Sequence, residues 1–379
     1  MKSFGFNTKY FLILLSILLC NFKFLKAQAF ENNENTFLVV QQKFHTGKPI
    51  KYSDSLSSSL EKRFFSTDFR FAFESKGIYP AEYFLNFPTY GIGFYSSRLG
   101  DPDTLGYPLA TYLFYQSPFV SKKHFSLYWE VDFGVAWHFN QFHPVKNPRN
   151  DLIGSDLNII FNFNLGTDIR INERFDMNLD FVFTHFSNGT VMLPNKGLNQ
   201  YGFAIGTKYH FAKKKMDAFK RFDPAKASKP SKFTKRNELT ATFGLGSKAV
   251  GKNKHYPVSE LVLDYFRAYQ WFGKFGAGID CIYDRTLADD FDKRNFPAET
   301  KFLFLGYHAS HELTVSKLSL VTQLGGYMYK GIEAKGNFFF RLSLRYYLNN
   351  RFYMNMSLKS VPKIRADFIE FGGGVKIFK

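Results

Sequence analysis

His185 and Ser187 stand two residues apart at the end of an alternating segment, and Asn188-Gly189 follows them. In the segment that begins at Arg174 the odd positions are Phe175, Met177, Leu179, Phe181 and Phe183. The even positions are Asp176, Asn178, Asp180, Val182 and Thr184. Residues two apart on a strand share one face. His185 and Ser187 therefore continue the apolar face, where both cost desolvation unless they are partnered or used. At that spacing the imidazole reaches the hydroxyl, the geometry of a general base beside its nucleophile. Gly189 lets backbone N–H groups turn toward an oxyanion that develops on attack. The same residues also read as a polar strand end at a membrane interface, followed by an ordinary Ser-Asn-Gly turn. Spacing alone leaves both readings open.

The elements that must position this pair are strands. Nearly every segment after residue 60 alternates with period two. In 125–139, Phe125, Leu127, Trp129, Val131, Phe133, Val135, Trp137 and Phe139 fall on one face, against Ser126, Tyr128, Glu130, Asp132, Gly134, Ala136 and His138. A soluble sandwich would bury the apolar face; a transmembrane barrel shows it to lipid and keeps a polar interior. The segments run roughly 10–14 residues, long for a sandwich strand of five or six. Their apolar face is rich in bulky aromatics and their polar face carries Gly, Asn, Asp and Arg. The expected fold is therefore all-β, an antiparallel transmembrane β-barrel.

Composition agrees with that reading. The chain has 379 residues, with 48 Phe and 22 Tyr. That aromatic content excludes disorder, and no apolar run is long enough for a transmembrane helix. Lys2 and Lys9, the apolar stretch Tyr10 to Leu19 and the small residues around Ala27 read as a secretory signal peptide over 1–27. Leu19 precedes Cys20, where lipoprotein processing wants a small residue. Two cysteines support neither a disulfide framework nor a Cys-rich metal site. The net charge is +18, and it stays strongly basic without the leader's four lysines. An exported basic chain points to a polyanionic neighbour, the phosphates of an outer-membrane lipid surface, and away from nucleic acid; a solvated Lys-rich surface explains part of the charge.

A basic stretch, 213–236, interrupts the alternation; it runs from Lys213-Lys214-Lys215 through Asp223-Pro224 and Lys229-Pro230 to Lys235-Arg236. It separates 28–212, which carries the candidate site, from 237–379. About eight candidate strands precede it and about eight follow. The hairpin Asn162 to Asp180 turns on Asn-Glu-Arg-Phe, and the hairpin Leu342 to Leu358 turns on Asn-Asn-Arg-Phe. Duplication and convergent turn chemistry both give such a likeness. One barrel of about 14–16 strands is the expected closure, with two tandem eight-stranded barrels as the alternative. Barrel N-termini normally lie in the periplasm. The strand 174–187, seventh from residue 36, then ends at the outer surface, and the basic stretch lies in the periplasm.

Two other groupings read as structural. His308 and His311 lie three apart on a strand, so they point to opposite faces and cannot readily share a metal. Gly372-Gly373-Gly374 lies in the last strand with no following helix, so it is no phosphate loop and eases curvature instead.

Three stretches together resemble a known family: His185-Phe186-Ser187-Asn188-Gly189, Leu193-Pro194-Asn195-Lys196-Gly197-Leu198-Asn199, and the strand ending Tyr209-His210-Phe211. The segment is similar to the lipid A 3-O-deacylases (PagL) and to the long acyloxyacyl hydrolase-like members of Bacteroidetes-type bacteria. The likeness reaches back through Tyr90-Gly91-Ile92-Gly93 and covers roughly 85–212. It implies an integral outer-membrane barrel that hydrolyses an ester-linked 3-hydroxyacyl chain of lipid A, with lipopolysaccharide as its partner and no metal or cofactor. By this resemblance Ser187 is the nucleophile, His185 the general base, and the backbone near Asn188 and Gly189 the oxyanion site. The family's third member is a Glu; Asn199 stands at that position. An amide oxygen accepts a hydrogen bond from imidazole N–H but does not offset the imidazolium charge.

Overall fold

The computed structural model describes residues 36–51, 62–76, 82, 85–213, 236–250, 254–270, 272–286, 302–315, 317–330, 336–361 and 365–378. The leader reading over 1–27 and all but the two ends of the basic stretch lie outside the described residues.

The described residues form sixteen strands, and apart from one short helical turn their secondary structure is all β. The first set is β1 (Thr36–Pro49), β2 (Phe64–Ser75), β3 (Thr89–Arg98), the helical turn α1 (Pro102–Leu105), β4 (Gly106–Ser121), β5 (Phe125–Phe139), β6 (Asn158–Arg170), β7 (Phe175–Ser187) and β8 (Leu198–His210). The second set is β9 (Asn237–Val250), β10 (Lys254–Gln270), β11 (Gly273–Asp284), β12 (Leu303–Val315), β13 (Leu318–Lys330), β14 (Phe338–Tyr347), β15 (Phe352–Val361) and β16 (Arg365–Phe378). Every neighbouring pair is antiparallel. β1 closes on β8 with Val39 opposite His210. β16 closes on β9 with Phe371 opposite Leu245. The strand number expected from the pattern is found, but it is divided between two closed eight-stranded barrels rather than spent on one. Alternation fixes which face of a strand is polar, whereas closure depends on which edge strands meet, and both closures share one pattern.

The two interiors explain why eight strands suffice. An eight-stranded barrel has room inside only for its own side chains. In the first barrel Arg70 lies at the centre, completely buried. It reaches Asp68 at 2.7 Å, Glu130 at 2.7 Å and Asp132 at 3.3 Å, and it lies against the Tyr112 and Phe114 rings. Lys43 bridges Glu130 and Asp180. In the second barrel Arg341 bonds Asp280 and Gln323, both at 2.7 Å, and pairs with Glu260. Arg345 reaches Asp264 at 3.1 Å. His308 is held between Asp280 and Asp264 at 2.6 and 2.8 Å, while His311 contacts Tyr269 and Phe275. The two histidines thus part as the period required. Each lumen is a packed polar core.

Outside, both barrels carry an exposed apolar belt that includes Phe44, Leu113 and Phe203 on the first and Phe243, Leu324 and Phe371 on the second. Strands of 10 to 17 residues suffice to span a bilayer when tilted. At the end of the first barrel where β7 stops, the polar interior gives way to an apolar cap. Leu99, Leu105, Phe139, Leu152, Ile153, Phe186 and Leu198 form one buried cluster there. Phe139 belongs to it because His138 has φ +69°. That left-handed residue breaks the alternation of β5 and turns Phe139 inward, off the lipid face on which period two placed it. The likeness of the two hairpins is physical. The Asn172 side chain accepts from the backbone of Arg174 and Phe175, and Asn349 does the same for Arg351 and Phe352. Both turns join the sixth and seventh strands of their barrels.

Candidate active site

β7 delivers His185 and Ser187 to the outer face of the first barrel, at the rim capped by the apolar cluster. Thr184 and Phe186, on the other face, are buried inside. β8 runs antiparallel to β7 with Asn199 directly opposite His185. The strand begins at Leu198, and this puts Asn199 in the ladder rather than in the preceding loop. Asn199 Oδ1 lies 2.5 Å from His185 Nδ1. An amide oxygen only accepts, so the contact sets the proton on Nδ1 and leaves Nε2 with the lone pair. Among the described residues no hydrogen bond joins Ser187 to the imidazole. Such contacts are often open without substrate and tighten in the reacting complex.

The segment between the two strands folds back over the pair. Gly197 has φ +75°, and its N–H donates to Leu152 O at 3.1 Å. A Cβ at Gly197 would stand 2.9 Å from His185 Cε1 and 3.5 Å from Ser187 Cβ. The glycine therefore lies over the gap between imidazole and serine, and only a residue without a side chain passes there.

Asn188 is a structural hub. Its side-chain amide donates to Ser155 Oγ at 2.8 Å and to Met192 O at 3.0 Å, and its backbone N–H donates to Asn195 Oδ1 at 3.2 Å. That N–H is thus engaged within the loop. The N–H of Gly189 meets no acceptor among the described residues. Gly189 and Thr190 both have positive φ, +61° and +65°. For a β-branched residue this conformation costs on the order of 1–3 kcal/mol unless its surroundings enforce it.

A second layer holds the loop. Asn150 is completely buried. Its side chain donates to Asn140 O at 2.5 Å and accepts from Leu152 N and Ile153 N. Asn195 and Gly197 lie within a stretch quoted above, but their roles emerge only from the folded loop. Ser155, Asn150 and Thr190 carried no sequence signal: they act across loop–loop contacts that no period reports.

This arrangement sets an imidazole of fixed tautomer beside a hydroxyl on the outer face of the rim, where Ser187 is only 7% exposed, with an unengaged backbone donor two residues further on. Residues 66–208 match the family model described as lipid A 3-O-deacylase (PagL). Residues 237–379 match the model described as acyloxyacyl hydrolase, C-terminal domain. Among solved structures, Neisserial surface protein A is similar over 46% of this chain and 96% of its own, with 12% identity and a TM-score of 0.32. The outer membrane enzyme PagL is similar over 45% of this chain and 97% of its own, with 13% identity and a TM-score of 0.28. No curated protein matches the chain. With two lipid-facing barrels the protein is an integral component of the cell outer membrane. The chain belongs to the lipid A 3-O-deacylase (PagL) family, its second barrel being the acyloxyacyl hydrolase C-terminal domain.

Proposed function

We propose that this protein is an outer-membrane serine esterase that removes an ester-linked 3-hydroxyacyl chain from lipid A. The observation that carries the reading is the His185–Asn199 contact at 2.5 Å, made on the lipid-facing side of the barrel next to Ser187. In this mechanism Ser187 Oγ attacks the ester carbonyl and its proton passes to His185 Nε2. The carbonyl oxygen becomes the oxyanion and is met by the backbone N–H of Gly189, in the loop that Asn188 organises. Collapse of the tetrahedral species breaks the ester C–O bond, and the sugar oxygen takes the proton from His185. Water, deprotonated by the same imidazole, then releases the 3-hydroxy fatty acid and restores Ser187. Asn199 keeps the ring oriented throughout but leaves the imidazolium without a charged partner, so the rate is expected to lie below that of a carboxylate-backed site.

A porin or solute transporter is the competing class, along with a lipid-binding barrel that does no chemistry. The packed charged interiors of both barrels speak against conduction. Mass spectrometry of lipid A from cells with and without the gene separates the classes. The esterase reading expects lipid A lighter by one 3-hydroxyacyl chain, and a full return to the unprocessed mass with Ser187→Ala or His185→Ala, both still folded as heat-modifiable barrels. Lipid A unchanged in the native host as well as the expression host would overturn it. Hydrolysis retained in Ser187→Ala would remove the nucleophile assignment.

A further inference from the structure

The second barrel carries no counterpart of the pair. Counted from the shared Arg-Phe of the two hairpins, Pro362 and Ile364 stand in the sequence where His185 and Ser187 stand. Yet the second barrel touches the site. Ala249 N, at the end of β9, donates to Thr190 O at 2.9 Å. The Thr190 hydroxyl lies 2.6 Å from Asp367 O on β16, and also 2.6 Å from Gly189 O. Ile369 packs against Gly189 so closely that a Cβ there would collide with its side chain. Ile369 lies between Phe368 and Glu370, which point into the second barrel, so it faces outward. It is 8% exposed, whereas Phe371, next along the same face, is 61% exposed. The cover over Ile369 is therefore local.

Strand arithmetic makes this meeting a consequence of the fold. β8 ends, and β9 begins, at the end of the first barrel remote from Ser187. β9 then rises to the same rim as the end of β7, and β16 starts its descent there. Two eight-stranded barrels in tandem must bring the β9–β16 rim to the level of the Ser187 loop.

The contacts fall on the two consecutive residues held at positive φ, and Ser187 is only two positions before the first of them. A left-handed threonine persists where surrounding structure enforces it; here the loop's own bond from Val191 N to Asn188 O is joined by the contacts from the other barrel. We infer that the β9–β16 rim of the second barrel sets the conformation of the Gly189–Thr190 turn and so aims the Gly189 N–H at the reacting carbonyl. Thr190 and Ile369 are then positioning residues, and the second barrel serves as a fixed brace for the site in the first. The catalytic part of this inference rests on the esterase reading; the brace itself does not.

The test uses the full-length protein in lipid bilayers, with native cysteines replaced and a nitroxide on Val191→Cys, a position 39% exposed in the same turn. Thr190→Val, which keeps shape but loses the hydroxyl, and Ile369→Ala should each mobilise the label. Thr190→Ser, which keeps the hydroxyl, should restore the wild-type spectrum. Without the label, the two disruptive variants should lower kcat for acyl release on the order of tenfold with KM unchanged, as expected when a donor is misaimed rather than lost. An unchanged label spectrum in both would overturn the brace, and a mobilised label with wild-type kcat would overturn its role in aiming the Gly189 N–H. A wild-type protein that releases no acyl chain would instead strike the esterase reading, and the label would still report whether the turn depends on the second barrel.

Discussion

Asn199 Oδ1 sits 2.5 Å from His185 Nδ1, across a strand pair in which the two residues are direct partners. In the proposed mechanism the register of β7 and β8 does the work of a triad's third member. It orients the ring and fixes its tautomer, and it does so with a neutral group. What it leaves out is the charge that would steady an imidazolium.

That division makes a graded prediction. Asn199→Leu removes the acceptor at similar size, so the ring loses both orientation and tautomer control; kcat should fall at least a hundredfold, within the range that a wrong tautomer costs. Asn199→Glu restores an acceptor and adds the missing charge, so activity should hold or rise. Both are read as initial rates of fatty-acid release from lipid A in mixed micelles. An Asn199→Glu rate below wild type would show that the amide has a role of its own.

Gly197 offers a test of how tightly the loop must lie over the pair. Its φ of +75° makes alanine there cost about 1–2 kcal/mol in backbone strain alone. The added Cβ would also stand 2.9 Å from His185 Cε1. Gly197→Ala should fold, because β7 and β8 remain paired, but lose most of its kcat. Wild-type turnover in that variant would mean that the loop is free to lift off the imidazole.

A stability prediction follows from the first barrel's core. Arg70→Ala would leave Asp68, Glu130 and Asp132 buried around an absent cation. Breaking such a network by removing one partner costs about 3–5 kcal/mol. Arg70→Lys keeps the charge but not the fork, and should cost less. Denaturant midpoints followed by the folded-to-unfolded gel shift in detergent give the order wild type, Arg70→Lys, Arg70→Ala. Equal midpoints for wild type and Arg70→Ala would show that the carboxylates find other partners.

Much of this architecture is legible in the chain because lipid imposes a simple code. Phe125 to Trp137 shows it plainly: large apolar residues out, polar residues in, for the length of a membrane span. The code failed at Phe139, where one left-handed residue, His138, reverses the faces. It was silent on closure, because β8 pairing with β1 or with a later strand needs the same alternation. At the site, His185 and Ser187 were readable because polar residues interrupt an apolar face. Asn188 was harder. Its position beside Ser187 marked it, but the folded loop spends its N–H on Asn195. The contacts of Thr190 with Asp367 and Ala249 join the two barrels, and no local pattern encodes them.

The closure into two barrels also sharpens the question of sidedness. With eight strands in the first barrel, the β7 end carrying His185 and Ser187 and the β8 end leading to the basic stretch lie on opposite sides of the membrane. If β1 starts in the periplasm, the pair stands at the outer leaflet, where lipid A resides, and the His210 end of β8 faces the periplasm. Val145, 83% exposed in the β5–β6 connection at the Ser187 rim, then faces the medium. In a Cys281→Ser background, Val145→Cys on intact cells should react with a membrane-impermeant maleimide. Ser228→Cys should react only after the outer membrane is permeabilised. The reverse pattern would put Ser187 at the inner leaflet, away from lipid A. It would leave the fold intact and remove the physical basis for the proposed substrate.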